Sequence, residues 1–284
     1  MQKTKQIQKL TVGEILSYIF IILWISVSVI TLGWFIMSSF KSNSEIFSKV
    51  WSLPETMQWS NYVRAWTSGN MGDYLWNTLI IMFFTLTILM VAGSMASYVL
   101  ARHGRYRWVR LITMLFIAGM SIPAQITLVP LYITYARAGL LNTYLGIILI
   151  YSAVYMPFTV FVLTGFFAGL PHDVEQAAMI DGCSRFGVYW RIAVPMAKPG
   201  LVSVMIFNFL SVWNEYFYAM LLIHDPSKMP LSAGLYNLKS QQQMSMDWAA
   251  LFAGVVILLL PTLVMFFLMQ KKIAKGITDG AIKG

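Results

Sequence analysis

The chain has 284 residues, 58% of them hydrophobic and 11% charged, with 10 Trp, 14 Tyr and 18 Phe; a soluble domain carries roughly 25% charged residues, so a soluble fold is excluded and an all-α integral membrane protein is expected. The net charge of +9 would suggest a polyanion partner in a soluble chain, but a bias of Lys and Arg toward one membrane face accounts for it, and no nucleic acid is inferred. One cysteine, Cys183, and three scattered histidines exclude an internal disulfide and give no metal-ligand cluster.

Stretches apolar enough to cross a bilayer, which takes about 20 helical residues, are predicted at 15–37, 75–100, 109–132, 144–167, 201–223 and 249–269. The first exceeds a typical signal-peptide core and has no small-residue cleavage site after it, so it reads as a retained helix. Six spans put both termini on one side. That side collects Lys3, Lys5, Lys9, Arg102, Arg105, Arg107, Arg110, Arg185, Arg191, Lys198, Lys271, Lys272, Lys275 and Lys283, 14 of the 20 basic residues. The positive-inside rule therefore places the termini in the cytoplasm. The expected organisation is a cytoplasmic N-terminus (1–14), a six-span domain (15–270) with a cytoplasmic loop at 168–200, and a cytoplasmic tail (271–284).

Residues 38–73, on the opposite side, mix Trp, Pro, Gly and charge, which suits interfacial aromatics and short helices. In the third span Pro123 and Pro130 stand seven apart on one face with Gln125 and Thr127 between them, predicting a kinked, locally polar helix that either lines a cavity or is a plain kink. Gly165 and Gly169 form a G-x-x-x-G that could mark close packing. In the fifth span Asn208, Ser211 and Glu215 recur at +3 and +7, one helical stripe continued outward by Tyr218. It reads as a pathway wall or as the seam with a second membrane subunit, while Glu215 lies near enough the outer interface to reach water instead. Tyr151, Tyr155 and Trp213 could stack on sugar rings, or pack as most membrane aromatics do.

The loop LPHDVEQAAMIDGCSRFGVYWRIAVPMAKPGL is the most elaborate polar segment. Pro171 can start a short helix that runs until Gly182 interrupts it, with Glu175, Met179 and Gly182 toward one face and the small Ala177 and Ala178 leaving room for a neighbour. Ser184 can cap a second short helix that runs through Trp190 to Val194, and Pro195 and Pro199 set the angle of return to the membrane. The pattern fits a protein-docking surface and an amphipathic connector on lipid headgroups equally well. Cys183 reads as a small packing residue. No glycine is followed by Lys, so the phosphate cradle of P-loop ATPases is absent, as are H-E-x-x-H and G-x-S-x-G; catalysis by this chain is not expected.

The loop resembles the signature segment, EAA followed by three residues and Gly, then I-x-x-P, of the membrane subunits of binding-protein-dependent ATP-binding-cassette importers. IPAQITLVPLYITYARAGLLNTYLG, WNEYFYAMLLI, the PLSAGLYNL to DWAALFAG region and KGITDGAIKG are similar to the sugar-importing, MalG-like branch. The resemblance implies a type I importer (MetI-like) permease fold, and a coupling role for Glu175, Gln176, Ala177, Ala178, Asp181 and Gly182 as a helix seated in an ATPase cleft. It also implies a second homologous permease subunit, two ATPase subunits that use ATP and Mg while this chain binds no cofactor, an extracytoplasmic solute-binding protein, and a sugar or oligosaccharide cargo. Contact of the tail with the ATPases is implied as well. The chain departs from the pattern at Gln176, where the family has glutamate, and at Cys183, where alanine is usual. Glycerol phosphate or a related polar solute is the alternative cargo; an ion-coupled carrier using Glu215, or a membrane enzyme, is the alternative class.

Overall fold

Helix formation starts where the sequence supplies a cap. Thr11 accepts from the Glu14 amide and the Glu14 carboxylate accepts from the Thr11 amide, a capping box that opens α1 (Val12–Ser38). The computed structural model describes residues 11–245 and 247–281, with side chains for 11–239 and 247–270, and its regular elements are helical. Lys3, Lys5, Lys9 and Lys283, and the side chains of Lys271, Lys272 and Lys275, lie outside the described residues.

By packing, the chain divides into two units, one from the residues up to Gly69 together with Gln241–Val256, the other from Asn70–Ser240 together with the residues from Ile257 on. In the first unit every residue from 11 to 31 is exposed along α1. The segment after it forms α2 (Asn43–Ser48), opened by a second capping box at Ser42 and Glu45, and α3 (Ser60–Trp66). Lys41 is fully buried, its Nζ donating to the carbonyls of Lys49 at 2.7 Å and Val50 at 2.9 Å. Asn61 donates to the carbonyls of Ser39 and Lys41, and Arg64 pairs with Asp247 at 2.8 Å. Short helices and exposed aromatics such as Trp51 and Trp59 are what the composition of 38–73 predicted.

The second unit begins with α4 (Met71–His103), 33 residues long. At 1.5 Å per residue it measures about 50 Å, more than the roughly 30 Å hydrocarbon core, so its ends extend beyond the lipid. Then come α5 (Arg107–Met120), α6 (Ala124–Arg137) and α7 (Tyr144–Ala168). α4 and α7 form the most extensive helix pair. Gly93 makes their approach possible, since a Cβ there would stand 2.6 Å from Thr159 Cγ2. The G-x-x-x-G of α7 does not pack, because a Cβ at Gly165 would meet nothing within 4 Å.

The connection after α7 carries α8 (His172–Ile180), α9 (Arg185–Val188), a π turn at Tyr189–Ala193 and α10 (Val194–Met196). It is followed by α11 (Lys198–Asn214), α12 (Phe217–Leu222), a 3₁₀ turn at Pro226–Lys228, α13 (Leu231–Ser245) and α14 (Trp248–Ala281). Among the described residues, two buried clusters hold this unit. Ile81, Tyr135, Ile147, Tyr151 and Leu222 belong to one, and Leu163, Phe167, Tyr189, Ala193 and Val204 to the other.

Two predicted spans are not continuous helices. The third breaks between α5 and α6 with a bend of 100°, because Pro123 has no N–H to donate and disfavours helical backbone at Ile122. Pro130 stays inside α6. The fifth stops at Asn214 and resumes at Phe217, and α11 meets the preceding Arg185–Met196 segment at 75°. Among the described residues, four helices are thus long and apolar enough to cross a membrane, or up to six if each bent pair counts as one span.

Candidate functional site: the α8 surface and the broken spans

α8 is nine residues long, too short to be stable in isolation; tertiary contacts hold it. Its first turn carries Asp173 and Glu175, acids placed where the helix dipole favours them. Glu175 points inward and is 3% exposed. The Arg102 guanidinium donates to both of its oxygens, Nε at 3.1 and 3.0 Å and Nη2 at 2.5 Å, and the Tyr98 hydroxyl donates at 2.9 Å. A bidentate arginine plus a phenol leaves neither carboxylate oxygen without a donor. The loop's second limb docks on the same helix, with Tyr189 Oη and Ser94 Oγ 2.7 Å apart.

α8 ends in a Schellman turn: the Cys183 amide donates to the Ala178 carbonyl at 2.9 Å and the Gly182 amide to Met179 at 3.1 Å. Gly182 has φ +86°, with open space around a built Cβ. Its glycine is required by backbone conformation, not by a close neighbour. Ser184 then accepts from the Gly187 amide at 3.1 Å and caps α9, as predicted. The second helix ends earlier than the sequence suggests. After Val188 the ladder slips to the π turn, where the Val194 amide reaches back to Tyr189, directly before Pro195, which cannot donate.

The residues named for coupling therefore divide. Gln176, Ala177, Asp181 and Gly182 are exposed, Ala178 is half-buried, and Glu175 is turned into its own chain. Beside the exposed set lie Val174, Met179, Ile180 and Phe186, with Ile180 85% exposed. This outer face is small, apolar and uncharged at Gln176, flanked by Asp173 and Asp181.

The fifth-span stripe is drawn into the helix bundle. Asn208 is fully buried and donates to Thr159 Oγ1 of α7 at 2.8 Å, while its Oδ1 has no hydrogen-bond partner. The Ser211 carbonyl accepts from the Tyr155 hydroxyl at 3.3 Å. Glu215 sits in the break, where its Oε1 accepts from the Tyr218 amide at 2.9 Å and so satisfies a donor exposed at the start of α12. Its Oε2 is buried without a hydrogen-bond partner, as is the hydroxyl of the neighbouring Tyr151. Trp213 is a core residue: 2% exposed, it donates to the Leu258 carbonyl at 3.0 Å and stacks on Phe209. Gln125 is exposed in the first turn of α6, next to the 100° bend.

Sequence reasoning missed Arg102 and Tyr98, counting the arginine only as a charge on the basic side. The signal was present. Ser94, Tyr98 and Arg102 recur at i and i+4, a polar stripe at the end of an otherwise apolar helix.

The chain matches the family described as "Binding-protein-dependent transport system inner membrane component" over residues 91–277. It is 39% identical to the diacetylchitobiose uptake system permease protein NgcG of Streptomyces coelicolor, covering 94% of this chain and 88% of that protein. It is 33% identical to the probable starch degradation products transport system permease protein AmyC of Thermoanaerobacterium thermosulfurigenes, over 92% of this chain and 93% of that one. Its fold is that of a chain in a crystal structure of a bacterial ABC transporter involved in the import of the acidic polysaccharide alginate, with a TM-score of 0.78 at 21% identity over 92% of this chain and 96% of that chain. The chain belongs to the inner membrane component family of binding-protein-dependent transport systems: it is an ABC-importer permease subunit, all-helical and multi-pass in the inner membrane.

Proposed function

We propose that this chain forms half of the translocation pathway of an ATP-driven importer for a sugar or oligosaccharide, working with a second homologous permease subunit, two ATPase subunits that bind and hydrolyse ATP with Mg, and an extracytoplasmic solute-binding protein. The relatives named for diacetylchitobiose and starch degradation products support the cargo class. The observation that carries the coupling role is the outer face of α8, where Gln176, Ala177 and Asp181 are exposed around an ordered Gly182 turn. A helix held firmly on one side and apolar on the other suits insertion into a cleft of another protein. With Gln176 in place of a glutamate, the grip rests on shape and hydrogen bonds more than on charge.

In this reading the loop at 168–200, both termini and the tail at 271–284 face the cytoplasm, in a bacterial or archaeal cell membrane. Solute passes where the spans are discontinuous, near Gln125 at the α5–α6 bend and near Glu215 and Ser211 at the α11–α12 break. Asn208 supports that wall from behind through Thr159. A relative named for sulfoquinovosyl glycerol, 29% identical, keeps a non-oligosaccharide polar solute as the second reading of the cargo.

The test is transport in proteoliposomes carrying the four membrane and ATPase subunits, with the binding protein outside and ATP inside. Uptake of labelled diacetylchitobiose or maltotriose that requires both ATP and binding protein is the expected result. Uptake driven by a proton gradient without the ATPases, and abolished by Glu215→Gln, would identify an ion-coupled carrier instead.

A further inference from the structure

The α4–α8 contact is more heavily built than surface attachment of a short helix requires. The Arg102 and Glu175 side chains are 7% and 4% exposed, joined by three nitrogen–oxygen contacts, and the guanidinium carbon lies 5.6 Å over the Tyr98 ring. Tyr98 in turn stands 5.6 Å from Phe167 of α7 and 5.3 Å from Tyr189 of the π turn, centroid to centroid. One turn of α4 thus grips α7 and both limbs of the loop. On either side of α8 the chain leaves the helical path, at Gly169, Leu170 and Pro171 before it and at Gly182, φ +86°, after it. A push on the exposed face of an unanchored α8 would be lost as rotation at those two points.

We propose that Arg102, with Tyr98, is the positioning residue of the coupling step: through Glu175 it keys α8 to α4, so that force on the outer face of α8 moves α8 and the α4–α7 pair as one body. The geometry suits a latch that stays shut. Opening it would strand a charge out of water, whereas an exposed ion pair exchanges freely with solvent. Glu175 is then the inward anchor, while Gln176, about 100° around the helix, faces the partner. This inference rests on the reading of α8 as the ATPase-contacting helix.

The experiment uses the full complex co-purified with its ATPase subunits, carrying Cys183→Ala, Asp173→Cys on α8 and His103→Cys at the end of α4, both spin-labelled. The distance between the labels is measured with and without ATP, Mg and vanadate, alongside the mobility of the α8 label. In the otherwise unaltered complex the α8 label responds to nucleotide while the distance keeps one unshifted population. Arg102→Met should add a second, shifted population on nucleotide addition and lose solute uptake while ATP hydrolysis continues. Arg102→Glu combined with Glu175→Arg should restore the single population. Arg102→Lys keeps the charge but not the fork, so it replaces Arg102→Met if that variant fails to assemble, and it too should split the distance. A single unshifted population in Arg102→Lys or Arg102→Met, with a responsive α8 label, overturns the latch and leaves the coupling reading standing. An α8 label indifferent to nucleotide in the unaltered complex overturns both.

Discussion

At the contact of α4 with α8 each oxygen of Glu175 has a donor, whereas Asn208 on α11 and Glu215 in the break after it each keep one oxygen without a hydrogen bond. The first cluster is formed by a full charge meeting a fork of N–H groups at the end of a helix bundle. The second lies inside the bundle, where the available partners are hydroxyls, amides and backbone carbonyls. A closed cluster resists rearrangement, because any motion costs a charge its partner; an open one has donors and acceptors to spare and can exchange them as its helices shift.

The sharpest way to break this contrast is to remove one member of the closed cluster. Glu175→Ala leaves Arg102 buried and unpaired, and a loss of ~3–5 kcal/mol is expected, read as a drop in the unfolding midpoint of the purified complex. A midpoint unchanged from the parent would mean that water reaches Arg102 and that the cluster is not closed. Next in size is Gly182→Leu, which forces a branched side chain into left-handed backbone at a cost of ~1–2 kcal/mol. Because space around the residue is open, the expected result is normal membrane insertion with uptake lost and ATP hydrolysis retained. Uptake at the parental rate would remove the Gly182 turn from the proposed coupling surface.

The open cluster should respond weakly. Replacing both partners, Asn208→Leu with Thr159→Val, removes a hydrogen bond and an unsatisfied carbonyl together, so the net change should lie within ~1 kcal/mol of zero. A loss as large as that of Glu175→Ala would mean that Asn208 is as tightly committed as the ion pair. The smallest effect concerns Glu45, whose carboxylate accepts from the amides of Glu55 and Ser42 and from the Ser42 hydroxyl, which lowers its pKa to about 2. The folded state favours the ionised form, so this contribution is complete above the usual carboxylate value of 4.5 and is lost as pH falls toward about 2. Protection of the Ser42 and Glu55 amides, taken relative to the intrinsic exchange rate at each pH, should fall across that window and not above it. Protection already lost near neutral pH would contradict the caps.

Much of this was legible in the residues. Length and apolarity located the membrane-crossing segments, and Pro171, Gly182 and Ser184 marked the start, stop and restart of the loop helices, because caps and breakers act over three or four residues. What was not legible is contact at long separation. Glu175 and Arg102 are 73 residues apart, and nothing local in VEQAAMID says that its glutamate faces home. The fate of the prolines was also hidden. Pro123 breaks its span and Pro130 does not, although both remove the same donor; whether a span survives depends on neighbours that a one-dimensional pattern does not name. The stripe of Asn208 and Ser211 had the right periodicity, yet periodicity gives a face and not what the face meets.

Lys41 carries a consequence of a different kind. Its amine is enclosed between two backbone carbonyls, while Lys49, eight residues on, stands half in solvent beside Glu55. An acylating reagent should therefore modify Lys49 in the native protein and leave Lys41 untouched until the 38–69 segment comes apart. The chain thus carries its own tamper seal: mass spectrometry after brief labelling would report, from the ratio of two neighbouring lysines, whether a preparation extracted from the membrane still has that segment intact.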